Sequence, residues 1–169
     1  IRDRYMTDDY VLWPAFSQIV LIIVMLMGGC AGSTAGGIKH VRAVLLGKSL
    51  VRDLRRILHP RQVTTIKCDG ERVSEQILSG IAVFFFTYIL LLMAGTLTVA
   101  WDGVDFITAF GASLTCLSNV GPGFGTMGPT GNFSALSDVS TVVLTLNMLL
   151  GRLEIMPLLL LLFPGLWKK

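Results

Sequence analysis

The residues whose chemistry is most informative are Ser118, Asn119, Val120 and Gly121, which carry no charge and follow an apolar, helix-forming segment at residues 105–117. A helix of about 13 residues is near 20 Å long, too short to cross a bilayer and long enough to reach its midplane. Its C-terminal end directs unpaired carbonyl groups and a negative dipole at whatever lies beyond. Carbonyls of this kind can replace the hydration shell of a cation. The run therefore predicts a site for a dehydrated monovalent cation such as K⁺.

The same run has a second interpretation, a glycine-rich outer loop packed on the protein surface. Residues 121–132 contain Pro122, Pro129 and several glycines, which excludes a regular helix or strand. Hydrocarbon tolerates irregular backbone only where it is buried in protein or lines a watery cavity. Because the half-length helix comes immediately before it, the layout favours a re-entrant pore loop. One loop cannot encircle an ion, so four must converge, from four chains or from four repeats of one chain.

Composition indicates an all-α membrane protein. Of the 169 residues, 53% are hydrophobic and only 15% are charged, whereas a soluble domain carries roughly 25% charged residues. Apolar windows at residues 11–27, 77–100 and 139–163 are long enough to cross a bilayer. The chain thus contains one complete span–pore loop–span unit, preceded by the last span of another. Its start without Met, just ahead of a span, leads us to expect a fragment.

Positive charges predict the orientation of the spans. Eight of the 14 Lys and Arg residues lie in one loop after the first span: Lys39, Arg42, Lys48, Arg52, Arg55, Arg56, Arg61 and Lys67. Short basic loops stay in the cytoplasm, and the C-terminal Lys168 and Lys169 are expected on the same side. Basic stretches are also typical of nucleic-acid binding, but the membrane setting argues against a nucleic acid partner.

A second glycine-rich segment interrupts the first span. It consists of Gly28, Gly29, Cys30, Ala31, Gly32, Ser33, Thr34, Ala35, Gly36 and Gly37. A phosphate-binding loop is disfavoured, because the Gly-Lys-Ser/Thr ending is missing. Close packing of helices through small residues is the stronger alternative. Ser and Thr hydroxyls can bond the freed backbone, so a mobile loop is tolerated at this depth.

Local signals divide the chain into three parts. Residues 1–62 contain the interrupted span and a basic amphipathic helix. Residues 63–74 are predicted to form a cytoplasmic β-hairpin, because Asp69-Gly70 is a turn signal between alternating residues. Residues 75–169 form the complete repeat, with Ser74 as a candidate cap of its first helix.

Three motifs, in order and over essentially the whole chain, resemble the Trk/Ktr/HKT superfamily of potassium transporters, and most closely its bacterial Trk membrane subunits. They are the segment from Met27 to Lys39, the run from Ser118 to Pro122, and Gly151-Arg152-Leu153-Glu154. The resemblance implies four span–pore loop–span repeats, of which this chain is the end of the third and all of the fourth. It also implies potassium uptake across the bacterial cytoplasmic (inner) membrane.

The resemblance assigns roles to residues as well. Ser118, Asn119, Val120 and Gly121 are expected to form one strand of a selectivity filter and to bind K⁺ through their backbone carbonyls. Residues 28–37 are expected to form an intramembrane gate beneath that filter. The implied partners are the remaining repeats of the same protein, a second copy in a homodimer, membrane lipid and a cytoplasmic nucleotide-binding regulatory subunit.

Arg152 is expected to face the gate. Within an apolar span an unpaired charge costs roughly 2.5–3.5 kcal/mol, and the freed carbonyls of the gate are natural partners. The alternatives are an arginine that reaches the cytoplasmic interface or one that pairs with Glu154, although Glu154 lies only two residues on and so faces away on the same helix.

The sequence departs from the family pattern at its beginning. The resemblance implies a filter strand before Tyr5, but the residues there are Ile1-Arg2-Asp3-Arg4, without glycine. Charged side chains there would obstruct a carbonyl filter. Truncation with altered leading residues is favoured over loss of the strand.

No serine, cysteine or carboxylate constellation supports catalysis, so neither an enzymatic activity nor a cofactor is expected, with K⁺ as the transported ion. Two alternatives stay open: a coupled secondary transporter with a broken-helix site, and a non-conducting fragment of a larger cation transporter. The residues do not decide between K⁺ and mixed K⁺/Na⁺ selectivity, or whether transport is coupled to H⁺ or Na⁺.

Overall fold

The computed structural model describes residues 9–30, 32–33, 36–59, 65–68, 71–129 and 131–157. Five α-helices carry the fold: α1 Ala15–Met27, α2 His40–Leu58, α3 Glu75–Ala100, α4 Phe106–Ser118 and α5 Asp138–Arg152. Short 3₁₀ turns at Tyr10–Leu12 and Gly125–Met127 precede α1 and follow α4. Two-residue strands β1 Lys67–Cys68 and β2 Glu71–Arg72 pair antiparallel between α2 and α3. Asp69 and Gly70, the predicted turn, lie outside the described residues.

Each helix of the second half begins at a side-chain cap. The Ser74 hydroxyl accepts a hydrogen bond from the Ile77 amide at the start of α3 (3.4 Å), as predicted. Asp105 accepts one from the Ile107 amide at the start of α4 (3.2 Å), and Ser137 caps α5. These oxygens satisfy amides that have no partner within the first turn of a helix.

The core lies around α4, which packs between α3 and α5. Ten of its 13 residues are buried, although it is the shortest of the three helices. Tyr88, Leu114 and Leu117 form one cluster with Ile38 and Ile155. Because that cluster draws residues from four segments, it joins the complete repeat to the beginning of α2.

One helix of the described residues, α3, is long and apolar enough to cross a membrane, while α1 and α4 are shorter apolar helices. The 3₁₀ turn and Pro14 delay the start of α1 to Ala15, four residues later than the predicted span.

The predicted span at residues 139–163 is interrupted within the described part of the chain. Helix α5 ends at Arg152, and Glu154 (φ 60°) and Ile155 (φ 55°) adopt left-handed backbone conformations. The Ile155 amide then donates to the Leu150 carbonyl (2.9 Å), which closes the helix end. Residues beyond 157 lie outside the described part of the chain.

Candidate ion-filter and gate site

The C-terminus of α4 passes directly into the predicted filter run. Asn119 adopts the left-handed conformation (φ 56°, ψ 36°) that stops the helix. The Asn119 amide donates to the Cys116 carbonyl (3.3 Å), and the Val120 amide donates to the Thr115 carbonyl (3.1 Å). These two bonds satisfy carbonyls in the last turn of α4 and direct the chain out of the helix into the filter run.

Groups from three helices hold the run in place. Within α4, the Thr115 hydroxyl accepts a hydrogen bond from the Gly121 amide (2.8 Å). From α3, the Tyr88 hydroxyl lies 2.8 Å from the Ser118 hydroxyl. Both of these side chains are buried, with exposed fractions of 0% for Tyr88 and 1% for Ser118. From α5, the Met148 carbonyl accepts a bond from the Asn119 side-chain amide (3.2 Å).

The backbone carbonyls of Ser118, Asn119, Val120 and Gly121 accept no hydrogen bond from any residue that the structure describes. Four consecutive oxygens are thereby left for another partner, while the amides and side chains around them are engaged. Gly121 adopts φ 115°, a backbone conformation that side chains disfavour. The described residues also include no cluster of His, Cys, Asp or Glu suited to a metal ion. A cation here would be bound by dipoles.

The loop after the run folds back on α4. The Gly123 carbonyl accepts a hydrogen bond from the Tyr10 hydroxyl (2.6 Å), and the Phe124 ring meets the Tyr10 ring edge-to-face with centroids 5.4 Å apart. Phe124 lies against Gly111, where a Cβ atom would approach its amide nitrogen to 2.8 Å. The segment before α1 and the loop after α4 therefore fix each other.

The predicted gate segment is described in part, because Ala31, Thr34 and Ala35 fall outside the described residues. Its two ends cross closely. A Cβ atom on Gly37 would lie 3.0 Å from the Gly28 Cα. The amide of Ile38 donates to the Leu26 carbonyl (3.2 Å). The glycines thus allow the chain to leave α1, turn and return within a narrow space.

Gly36 places this segment against the end of α4. A Cβ atom there would come within 2.8 Å of the Leu117 carbonyl oxygen and 2.9 Å of the Asn119 side-chain amide. Gly151 of α5 lies against the same two groups, so closely that a Cβ atom would overlap the Leu117 oxygen. The beginning of the filter run is therefore flanked by one glycine from the gate segment and one from α5.

Arg152 follows Gly151 as the last residue of α5, and its side chain is exposed. Its predicted position facing the gate stays a prediction. The expected filter strand at Ile1-Arg2-Asp3-Arg4 lies outside the described residues.

Sequence reasoning missed the role of Glu154, which it considered only as a partner of Arg152. Glu154 forms ion pairs with Lys39 and with Arg42 (2.8 Å), the residues that follow the gate segment. Arg42 also lies over the Phe84 ring, 4.3 Å from its centroid. The signal was present, since an acid in an apolar segment requires a positive partner.

Comparisons with known proteins identify the family of this chain. The family model for TrkH, described as a cation transport protein, matches residues 5–167. The Trk system potassium uptake protein TrkH of Escherichia coli K12 is 38% identical over 165 residues, which are 98% of this chain and 34% of that protein. TrkG of the same organism is 33% identical over 162 residues, 96% of this chain and 33% of that protein.

The crystal structure of the potassium transporter TrkH from Vibrio parahaemolyticus superposes with a TM-score of 0.86 at 38% identity, covering 97% of this chain and 35% of that one. The predicted all-α membrane fold is thereby confirmed. This chain spans about a third of the length of the curated relatives it matches. It belongs to the TrkH family of cation transport proteins.

Proposed function

We propose that this chain supplies the fourth quarter of a potassium uptake pathway, with K⁺ bound by the carbonyls of Ser118, Asn119, Val120 and Gly121. The observation that carries the proposal is the set of four consecutive carbonyls that accept no hydrogen bond from the described residues, held at the end of a buried half-length helix. Relatives that are 38% and 33% identical to this chain are named as potassium uptake proteins. The remaining carbonyls would come from three other repeats.

Residues 28–37 act as the gate in this proposal. Gly36 already contacts Leu117 and Asn119 at the start of the run, so a displacement of the segment would change access to the filter from one side. Arg152 would stabilise the segment through its carbonyls. The positive loop charges support an orientation in which α2 and the C-terminus lie on the cytoplasmic side of a bacterial inner membrane. A nucleotide-binding regulatory subunit would act there on a homodimer.

A Gly121→Ala substitution tests the filter assignment in the full-length protein, expressed in a bacterium that lacks its own potassium uptake. At φ 115° a side chain strains the backbone, so the carbonyls should move. We expect growth at low K⁺ to fail and the K⁺/Na⁺ permeability ratio to fall at least tenfold.

Gly103→Ala is the matched control, because Gly103 also has a positive φ (77°) and no atom lies within 4 Å of an added Cβ. It strains a turn between α3 and α4 outside the run. Selectivity that falls equally in both variants, or in neither, would contradict the filter assignment. Parent protein that does not restore growth at low K⁺ would contradict potassium uptake itself.

A further inference from the structure

Three charged side chains form a cluster beside the gate segment: Lys39, Arg42 and Glu154. Glu154 accepts hydrogen bonds from Lys39 through one carboxylate oxygen and from Arg42 through the other (2.8 Å). The paired residues are 115 and 112 positions apart in sequence. The cluster therefore ties the residue that follows the gate segment to the residue that follows α5.

Both sides of this cluster lie on unusual backbone. Lys39 adopts φ 62°, and Glu154 and Ile155 adopt φ 60° and 55°. Non-glycine residues in this region are strained and persist only where their surroundings enforce them. Among the described residues, the only other non-glycine position with positive φ is Asn119, in the filter run itself. In the part of the chain that the structure describes, non-glycine residues with this strain thus lie only in the filter run and in the two segments that the charges connect.

The charged cluster is partly shielded from water, which strengthens its ion pairs. The exposed fractions of the Lys39, Arg42 and Glu154 side chains are 15%, 26% and 42%. The guanidinium of Arg42 rests on Phe84 of α3. Buried Ile38 and Ile155, the neighbours of the paired residues, belong to the same apolar cluster. Without the Glu154 carboxylate, the positive charges of Lys39 and Arg42 would repel each other and would lose their shared partner.

We propose that Glu154 is a positioning residue that latches the gate segment in its closed position through Lys39 and Arg42. Gly36 lies only three residues before Lys39 and contacts Leu117 and Asn119, so a fixed Lys39 keeps the segment against the filter run. Release of the latch would let both left-handed turns relax and would free the segment to move. This inference rests on the proposed function of residues 28–37 as a gate.

Glu154→Gln in the full-length protein tests the latch, because it removes the charge and keeps the shape. We expect the open probability of single channels in lipid bilayers to rise roughly fivefold, the effect of about 1 kcal/mol for a partly exposed ion pair. The K⁺/Na⁺ permeability ratio should not change, since the filter run is untouched.

Glu75→Gln is the matched control. Glu75 forms a similar ion pair with Arg52 of the same helix α2 (2.7 Å), and neither residue is hydrogen-bonded or ion-paired to the described residues of the gate segment. An open probability in Glu154→Gln no higher than in Glu75→Gln would overturn the latch. A parent protein without potassium flux would instead overturn the proposed function and is recognised before any variant is compared.

Two further measurements separate a latch from general loosening. The charge exchange Lys39→Glu with Glu154→Lys should lower the open probability from that of Glu154→Lys alone, because it restores an opposite pair. Cys30, in the gate segment and exposed, should react faster with a thiol reagent in Glu154→Gln than in the parent, with Cys30→Ser as the blank. No recovery in the exchange, or an unchanged rate at Cys30, would count against the proposal.

Discussion

The complete repeat of α3, α4 and α5 and the arm of α1 and α2 differ sharply in how they are packed. Ten residues of α4 are buried, together with eight of α3 and four of α5. Helix α1 has no buried residue, and α2 has Leu45 alone. Phe16 of α1, for example, is 78% exposed. The repeat therefore completes its own core, whereas the arm presents apolar surface that these contacts leave uncovered.

The contrast indicates where each region obtains its stability. Because the repeat is closely packed, adding or removing a single side-chain atom should change its stability. Hydrogen bonds to Tyr88, Thr115 and Met148 hold the filter run against this packed core. The arm contacts the repeat through Gly36, the Glu154 ion pairs and Tyr10. Apolar contacts add to these, since Ile38 belongs to the cluster around Tyr88. Leu45 of α2 packs with residues of α3. The difference in burial between the two regions supports the proposed arrangement, in which the gate segment moves while the filter run keeps its geometry.

Gly151→Ala should have the largest effect on this contrast. The added Cβ would overlap the Leu117 carbonyl oxygen, so α5 must move away from α4. Overpacking of this kind costs about 1–3 kcal/mol. Thermal unfolding of the detergent-solubilised full-length protein would measure it. Gly47→Ala in α2 is the counterpart in the arm, because no described atom beyond its own stretch of helix lies within 4 Å of an added Cβ. This substitution should be neutral or slightly stabilising. Equal losses of thermal stability in both variants would contradict the difference in packing between the repeat and the arm.

The positions that the sequence predicts well are those with local signals. The bounds of α4 follow from a capping Asp105, an apolar run and the residues after Ser118, all within one stretch of chain. The beginning of α3 follows from Ser74 in the same way. These elements are specified by neighbours in sequence, so a single sequence is sufficient for them.

The positions that it predicts poorly depend on distant residues. The end of α5 at Arg152 depends on Glu154, whose partners Lys39 and Arg42 are more than a hundred residues away. Hydropathy alone continues the span through this point, because Leu, Ile and Met surround the acid. The contact of Gly36 with the filter run is likewise a tertiary event. Glycine content indicated a break in the first span but not what the break would touch.

Tyr88→Phe should have the next largest effect, on the link between α3 and the filter run. It removes the hydroxyl 2.8 Å from the Ser118 hydroxyl and leaves a buried polar group without its partner, at a cost of about 1–3 kcal/mol. Ser118→Ala alone should cost a similar amount, and the double variant should cost less than the sum of the two. Additive losses in thermal unfolding would contradict a direct bond.

Two substitutions of Asn119 distinguish the effect of backbone conformation from that of side-chain bonding in the filter run. Asn119→Ala loses the bond to the Met148 carbonyl and places alanine at φ 56°, which costs about 1–2 kcal/mol for the left-handed conformation. Asn119→Gly loses only the bond and tolerates the conformation. We therefore expect glycine to be the milder substitution in both thermal stability and K⁺/Na⁺ selectivity. The reverse order would mean that the left-handed conformation at residue 119 does not limit the filter geometry.

Asp102 should show the smallest effect, because it lies in an exposed turn at the outer end of the repeat. Hydrogen bonds from Ser140 and Ser137 lower its pKa below the ordinary carboxyl value of 3.8, and the Ser137 amide lies 3.0 Å from its carboxylate. A lowered pKa in the folded protein means that the contribution to stability is present above pH 3.8 and is lost as the pH falls through the folded value. Thermal unfolding of the parent and Asp102→Asn should therefore differ slightly at pH 6 and converge towards pH 3. A difference that grows on acidification would show that the folded protein stabilises the protonated carboxyl. The Ser137 bond to the carboxylate would then not stabilise the turn.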